Sequence, residues 1–471
     1  SNTVKNNTVN GKPLIYIENI KNATIIDAGQ VVVINCQNIT VKNTEIKNTE
    51  TGIYLFNTSY SQIEDNKLLN NYEGICFQSS SNNTITDNLL TKNREGIVLL
   101  SSFNNTISNN NATSNNNSIY FDSSGNNIIS NNTIAGIFNG IYLLFSSNNV
   151  ITGNTIDNNS ENGVYLESSP SNTIKNNTLT NNSNAIYMSS SLNNRIRDNI
   201  MHSNYYGISL YFTNDNLISR NTIMGDYHDG IWLWQSLNNT VKDNMICNNS
   251  RGLDLRHSSN NTVTRNVIDR NSREGYLNSC GIYLESSFNN FIYLNTFNNM
   301  DNIAIFNSDN IWNSTSRITY TYNNSQYTSY LGNNWSDYNG SDENGDGIGD
   351  TPYAIDGDAD NYPLMQPWEN YLTPENQPPN TPSKPSPANH TTDVPIDADL
   401  SWTGGDPDPG DTVTYDVYFG TSTTPPLVSD DQPSTTYDLG ILNHSTEYYW
   451  KIIATDNHGT STEGPLWDFC T

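Results

Sequence analysis

Residues 82–100 read NNTITDNLLTKNREGIVLL, and residues 238–255 read NNTVKDNMICNNSRGLDL. In each, an asparagine stands second, another follows five residues later, and a third five beyond that: Asn83, Asn88 and Asn93, then Asn239, Asn244 and Asn249. An aliphatic residue sits two places after each of the first two. Working outward, the first asparagine recurs at Asn105, Asn127, Asn149, Asn172, Asn194, Asn216 and Asn261, at intervals of 22 or 23 around the chain, and returns after a longer coil at Asn290 and Asn310. The second runs unbroken from Asn66 to Asn295. The third is looser, and at one of its places Asp226 replaces the asparagine. A third apolar segment reads Gly-Ile-Tyr-Leu from Gly52, Gly140 and Gly281.

A fixed period of this length marks a stacked repeat. The apolar period is two and the segments are short, so they are strands rather than helices. About three short strands with their turns fill about 22 residues, one coil of a right-handed parallel β-helix, with coils stacking at about 4.8 Å. Ile and Leu of Gly-Ile-Tyr-Leu point inward and Tyr outward. Asparagine tolerates the left-handed backbone that sharp corners need, and stacked amides can hydrogen-bond from coil to coil. A coil cannot bury its apolar face alone, so stability comes from its neighbours. The fold expected is all-β: about twelve coils over residues 1–312, a closing acidic segment at 313–369, a Pro/Asn/Ser-rich linker at 370–388 and a β-sandwich at 389–471.

Composition agrees with a thin solenoid. Only 34% of the 471 residues are hydrophobic, yet Tyr, Ile and Trp recur on schedule, which disordered chains do not show. The net charge of -27 is uneven: from Asp337 onward Lys384 and Lys451 are the only bases among 24 acids. Nucleic acid is excluded as a partner, since phosphate binding needs a basic footprint. Cations and an extracellular setting are favoured. No apolar run is long enough for a transmembrane helix, and no signal peptide is visible, as expected of a mature secreted protein. Numerous N-x-S/T sequons, such as those at Asn57 and Asn334, point the same way. The five cysteines form no CxxC pair, and Cys247 with Cys280 reads either as a disulfide or as two buried thiols.

These repeats, together with residues 6–43 (NNTVNGKPLIYIENIKNATIIDAGQVVVINCQNITVKN), resemble the NosD-like right-handed β-helix proteins of the carbohydrate-binding and sugar-hydrolase group, archaeal surface versions in particular. The resemblance extends over about residues 1–368 and implies a fold more than an activity. The family's name comes from copper-site maturation. Copper needs clustered His, Met or Cys, and no such set has ligand spacing along the chain, so copper is not carried over.

The segment GNNWSDYNGSDENGDGIGDTPYAIDGDADNYPLM resembles the closing segment of archaeal NosD-like proteins. Asp342, Asn344 and Asp346, followed by Gly347, match the start of a calcium loop, with the carbonyl of Ile348 and the carboxylate of Asp350 completing it. Position twelve is Tyr353 rather than Glu, so the likeness is to short dockerin or thrombospondin-type loops. Asp356, Asp358 and Asp360 offer a second set. Further on, Leu442-x3-Thr446-x-Tyr448-x-Trp450-x-Ile452-x-Ala454 resembles the sixth strand of a fibronectin type III domain, usually a spacer or interaction unit.

One region departs from the repeat. Tyr205, Tyr211, Trp232 and Trp234 form an aromatic patch suited to stacking sugar rings. Beside it lie Asp226, His228, Asp229, Asp254, Arg256 and His257. Alternation sets the two indoles next to Asp254 and Arg256 on adjacent coils. Asp226, Asp229 and Asp254 are the candidate acid and base of a glycan-cleaving reaction, with Arg256 or His228 stabilising a uronate intermediate. The leading expectation is a non-enzymatic extracellular or cell-surface protein, a surface-layer, sheath, filament or matrix subunit. It would contact glycans, other surface proteins or copies of itself. The alternative is a polysaccharide lyase, hydrolase or epimerase.

Overall fold

The computed structural model describes residue 4 and residues 6–272, 278–372, 376–408 and 411–471. The chain divides into two compact units, Ser1–Leu372 and Thr373–Thr471.

The first unit is a parallel β-helix. Among the described residues its strands form three sheets, here I, II and III, of 15, 14 and 13 strands. Successive coils pair in parallel without register shift through most of the stack: Ile75 lies opposite Ile53 and Ile97, Ile85 opposite Ile63 and Ile107, and Leu90 opposite Leu68 and Ala112. These inward positions are fully buried along one continuous core. The sheet I strands run six residues, for instance Asn139–Leu144, and those of II and III run three through most of the stack. Two inward residues per sheet I strand against one elsewhere explain why the Gly-Ile-Tyr-Leu segment is the richest in apolar residues. The glycine is required there: a Cβ at Gly140 would stand 2.6 Å from the Gly163 carbonyl oxygen of the next coil.

The corners divide between two residues the work expected of one. The left-handed backbone belongs to the residue before each ladder asparagine, such as Asn82, Asn104 and Asn126 at φ of 56–59°, or Asp65 and Asp87. The ladder asparagine itself is buried and makes the bonds. Asn110 donates its N–H and its amide to Asn132 Oδ1 (2.9 and 3.0 Å), and its amide also reaches Ile85 O one coil back at 2.9 Å. A fourth ladder, in the same turn from sheet I to sheet II as the first asparagine ladder, is made of serine. Ser80 N–H donates to Ser102 Oγ at 3.0 Å, Ser102 N–H to Ser124 Oγ at 3.0 Å, and each hydroxyl returns to a backbone carbonyl. A backbone that turns this tightly every few residues leaves N–H groups facing inward, and the ladders satisfy them.

The helix closes beyond Trp312. Asn295 donates to Asn333, which donates its N–H to the fully buried Asp360 at 2.7 Å. Phe297, Trp335 and Tyr353 stack face to face, with centroids 4.5 and 4.4 Å apart, over the end of the core. In the second unit, antiparallel strands form, among the described residues, one sheet of three and one of five around Trp402, Trp450 and Trp467. Ser383–Ser386, inside the stretch read as a linker, pairs with Leu400–Thr403, while residues 373–375 of that stretch lie outside the described residues. The five cysteines are all free thiols, so Cys247 and Cys280 are two buried thiols rather than a disulfide.

Candidate functional site

The outward face of sheet I changes character over four coils. The outward column that reads Tyr120, Tyr142, Tyr165 and Tyr187 continues as Ser209, Trp232, Asp254 and Tyr283. The next outward column reads Tyr211, Trp234, Arg256 and Glu285. The register thus sets Trp232 directly beside Asp254 and Trp234 beside Arg256.

Beneath the aromatic rings lies a closed set of charges. Arg251 Nε sits 3.0 Å from Asp229 Oδ1, and its Nη1 2.7 Å from Asp254 Oδ2. Arg256 grips Asp254 through Nε at 3.0 Å and Nη2 at 3.1 Å, and its Nη1 lies 3.4 Å from Glu285. His228 Nδ1 is 2.9 Å from Asp229 Oδ1. Asp229 and Asp254 are each 1% exposed and Arg251 7%. Burial, then the neighbouring charge of Asp229, pushes the Asp254 carboxyl upward, against the pull of Arg256 and Arg251. With guanidinium donors on both of its oxygens, we take the carboxylate as the resident form. Charges this deep persist only when paired and hydrogen-bonded. Tyr283 covers the set, with the Arg251 and Arg256 guanidiniums 5.0 and 4.8 Å from its ring centre.

Around the charges runs a band of rings. Tyr206 stacks on Trp232 at 5.6 Å, Trp232 meets Trp234 edge-on at 5.9 Å, and Trp234 meets His257 at 5.4 Å. Tyr205 packs against Tyr206, Tyr227 and His228. Tyr211 lies on the same face, against Phe212. Of the expected residues, His228, Asp229, Asp254, Arg256, His257 and the four aromatics therefore converge. Asp226 does not. It is a member of the third ladder, buried in the wall and receiving Asn204. Arg251 and Tyr206, which belong to the same departure from the repeat, hold the patch together, Arg251 as the Cα partner of Asp229 and Tyr206 through its stacking on Trp232.

The acidic loop has its own geometry. Asp342 accepts the N–H groups of Gly345, Asp346 and Gly347 at 2.8–3.1 Å, Asp346 accepts that of Ile348, and Asp350 accepts that of Glu343. In the second set, Asp358 and Asp360 each accept from an indole. Asp358 accepts Trp312 Nε1 at 2.7 Å. Asp360 accepts Trp335 Nε1 at 3.0 Å and Tyr362 N–H at 3.0 Å, and burial raises its carboxyl to about 6. Both anchor indoles at the end of the core. Among the described residues, carboxylates do gather at Asp406, Asp408 and Asp411 and at Asp416, Asp430 and Asp431 of the second unit, from spacings that drew no notice in the sequence.

Comparison with known families places this architecture. The family described as "Periplasmic copper-binding protein (NosD)" matches residues 1–137, 117–200 and 137–340. The chain belongs to the NosD family. No curated protein matches it. Solved structures similar to this NosD-family chain include PfbA, a surface adhesin of Streptococcus pneumoniae, at 13% identity over 67% of this chain and 91% of that one, with a TM-score of 0.44. The A-module of Azotobacter vinelandii mannuronan C-5 epimerase AlgE4 is 15% identical over 58% and 90%, with a TM-score of 0.43. The Dettilon tailspike protein gp208 is 16% identical over 49% of this chain, which spans 60% of the tailspike, with a TM-score of 0.43. At these identities the likeness speaks to the β-helix alone. No helix among the described residues is long and apolar enough to cross a membrane.

The family's copper can be tested against the donors present. The aspartate groups are hard oxygen donors and do not suit it. Softer donor types occur on sheet III, where His202 is the Cα partner of Met224 and Met224 that of Cys247, in successive strands.

Proposed function

We propose that this NosD-family chain is a non-enzymatic extracellular or cell-surface protein that holds glycans on the outward face of sheet I. The observation that carries the reading is the ring band of Tyr206, Tyr211, Trp232 and Trp234 beside the part-exposed guanidinium of Arg256. Half-buried rings fixed on a flat sheet offer pre-formed stacking surfaces. A guanidinium beside them suits a uronate or sulfated sugar.

The rival reading, a lyase, hydrolase or epimerase, needs a carboxyl able to meet substrate. Asp254 gives both oxygens to guanidiniums, Asp229 is buried against Arg251 and His228, and Asp226 sits in the wall. That arrangement supports binding over catalysis. Calcium at Asp342, Asn344, Asp346, Ile348 and Asp350 belongs to the same proposal, as a stiffener of the closing segment. So do a fibronectin type III-like spacer role for the second unit and assembly with further copies or other surface proteins.

A glycan array probed with the full chain, followed by calorimetry on the glycans retained, tests the reading. Trp232→Ala and Trp234→Ala are expected to weaken binding by about tenfold each, the scale of one lost stacking contact. Retention of no glycan, or binding by both variants as tight as that of the unsubstituted chain, overturns it.

A further inference from the structure

The outward face of sheet II turns basic over one stretch. The third place of its strands reads Glu64, Thr86, Ser108, Ser130 and Thr152, and then Lys175 and Arg197. Arg195 shares a strand with Arg197, and Arg220 stands at the left-handed corner of the next coil. Four bases thus come from three successive coils, at the strand spacing of about 4.8 Å. Lys242 and Arg265 continue the run in the two coils beyond, both beside Asp243. The inward Ile174, Ile196 and Ile218 are fully buried, which turns Lys175, Arg195 and Arg197 to the outer side. Asp198 is shared: it accepts Arg197 Nη1 at 2.6 Å and Arg220 Nε and Nη2 at 2.7 and 3.1 Å. One carboxylate between two guanidiniums leaves a positive charge over. Among the described residues Lys175 and Arg195 form no ion pair. One more acid, Asp215, stands at the corner before Leu217. Burial, then the charge of Arg197, pull the Lys175 ammonium below its ordinary range, against the effect of Asp198. The stretch is therefore positive in a chain whose net charge is -27.

We propose that Lys175, Arg195, Arg197 and Arg220 form the docking surface for the acidic second unit of another copy of this chain. The complementary charge is on the page: the second unit carries 15 acidic residues against Lys384 and Lys451. Its excess is as uncompensated as that of the basic stretch. Asp430 and Asp431 are exposed, and the hydrogen bond and charge of Asp416, then the charge of Asp431, push the Asp430 carboxyl up. Contact between two such faces relieves the like-charge crowding on both. The two faces are different surfaces, so the contact is head-to-tail and joins copies into open chains, or into rings where the rotation closes. The inference rests on the assembly that forms part of the proposed function, to which it gives a surface. It does not depend on the ring band of sheet I.

The test is sedimentation velocity of the full chain over a concentration series, with chelator present so that no divalent ion bridges acidic faces. Species larger than one copy are expected at about 0.15 M salt, where the screening length is about 8 Å. They should diminish at 1 M, where about 3 Å of reach weakens the pairs. They should diminish also at 0.01 M, where about 30 Å of reach lets the net charge of -27 repel. Lys175→Glu combined with Arg195→Glu breaks no ion pair among the described residues and is expected to weaken assembly by at least about tenfold. That variant keeps its acidic unit, so it should also shorten the assemblies of the unsubstituted chain when mixed with it. Lys67→Glu combined with Lys92→Glu makes the same change of charge at two exposed positions away from sheet II and should assemble as the unsubstituted chain does. An unsubstituted chain that stays single at every salt concentration overturns the inference together with the assembly reading. Assembly that survives the sheet II variant, or falls equally in the Lys67 and Lys92 variant, overturns the inference alone. A chain that stays single but binds polygalacturonate through Lys175 and Arg195 overturns it as well, its occupant then being an acidic glycan.

Discussion

Asn204 donates both its backbone N–H and its side-chain amide to a single oxygen of Asp226, at 2.8 and 3.1 Å. Most ladder asparagines, Asn182 and Asn249 among them, present one oxygen to the coil before and use the NH2 group as donor, both to the next coil and to a carbonyl behind. Asp226 can do the first and not the second. Its other oxygen is buried without a partner, at the place where its neighbours in the ladder donate. Only a protonated carboxyl could donate there, and burial accordingly raises Asp226 to about 7. A folded-state value above the unfolded one of 3.8 means that the native chain holds the extra proton. Stability contributed by this group is therefore full below about pH 4 and lost as pH rises to about 7. Asp226→Asn is expected to restore the donor, remove that part of the pH slope and stabilise the chain at pH 8 by on the order of 2–4 kcal/mol. Urea unfolding of both proteins at pH 5 and pH 8 measures it; equal gains at the two values would contradict the assignment.

Asn131 and Asn132 are neighbours with opposite duties. Asn131 is exposed and left-handed at φ 55°, whereas Asn132 is buried and bonded to Asn154, Ile107 and Ser130. Asn131→Gly should change stability by only a few tenths of a kcal/mol, since glycine adopts that backbone freely. Asn132→Ala strands several buried groups and should cost roughly 2–5 kcal/mol. Chemical denaturation of the two single variants compares them directly.

The repeat was legible because each coil solves the same problem in the same place. Asn88, Asn110 and Asn132 recur because each corner leaves the same N–H groups to satisfy. The serine ladder of Ser80, Ser102 and Ser124 solves it too, but serine is common in turns and its period is masked by neighbours such as Ser79 and Ser101. Alternation correctly placed Trp232 beside Asp254. It also grouped Asp226 with the patch, because nearness in sequence hides that a ladder residue faces the wall. His202, Met224 and Cys247 are 22 and 23 residues apart, which is no motif along a chain and is one strand spacing in a coil. Asp358 and Asp360 matched a cation pattern locally, and nothing nearby in sequence announces that Trp312 and Trp335 claim them.

Asp254 bonds two arginines, so its loss uncovers two charges. Asp254→Ala is expected to destabilise the chain by about 3–5 kcal/mol, whatever its effect on glycans. Removing Arg256 as well leaves the Asp229–Arg251 pair intact. The double variant should therefore be less destabilised than the sum of the singles, with a coupling of about 0.5–3 kcal/mol. A double-mutant cycle by urea unfolding supplies the number. Strict additivity would mean that the two side chains do not interact in the folded protein.

The two acidic sets of the closing segment should separate under calcium. Asp342 lies in a loop whose alternate oxygens remain at the surface, and its carboxylate orders the turn through Gly345, Asp346 and Gly347. If the loop holds the ion, calcium at about 100 times the dissociation constant stabilises the native state by about 2.7 kcal/mol. Asp342→Ala should abolish that shift in the thermal unfolding of the full chain. Asp360→Ala should instead lower stability equally with calcium and with chelator, because it removes the acceptor of Asn333 and Trp335 rather than a ligand. Asp408→Ala, in the acidic group of the second unit, serves as the control and should retain the shift. A calcium response that survives Asp342→Ala and disappears in Asp408→Ala would move the ion to the second unit.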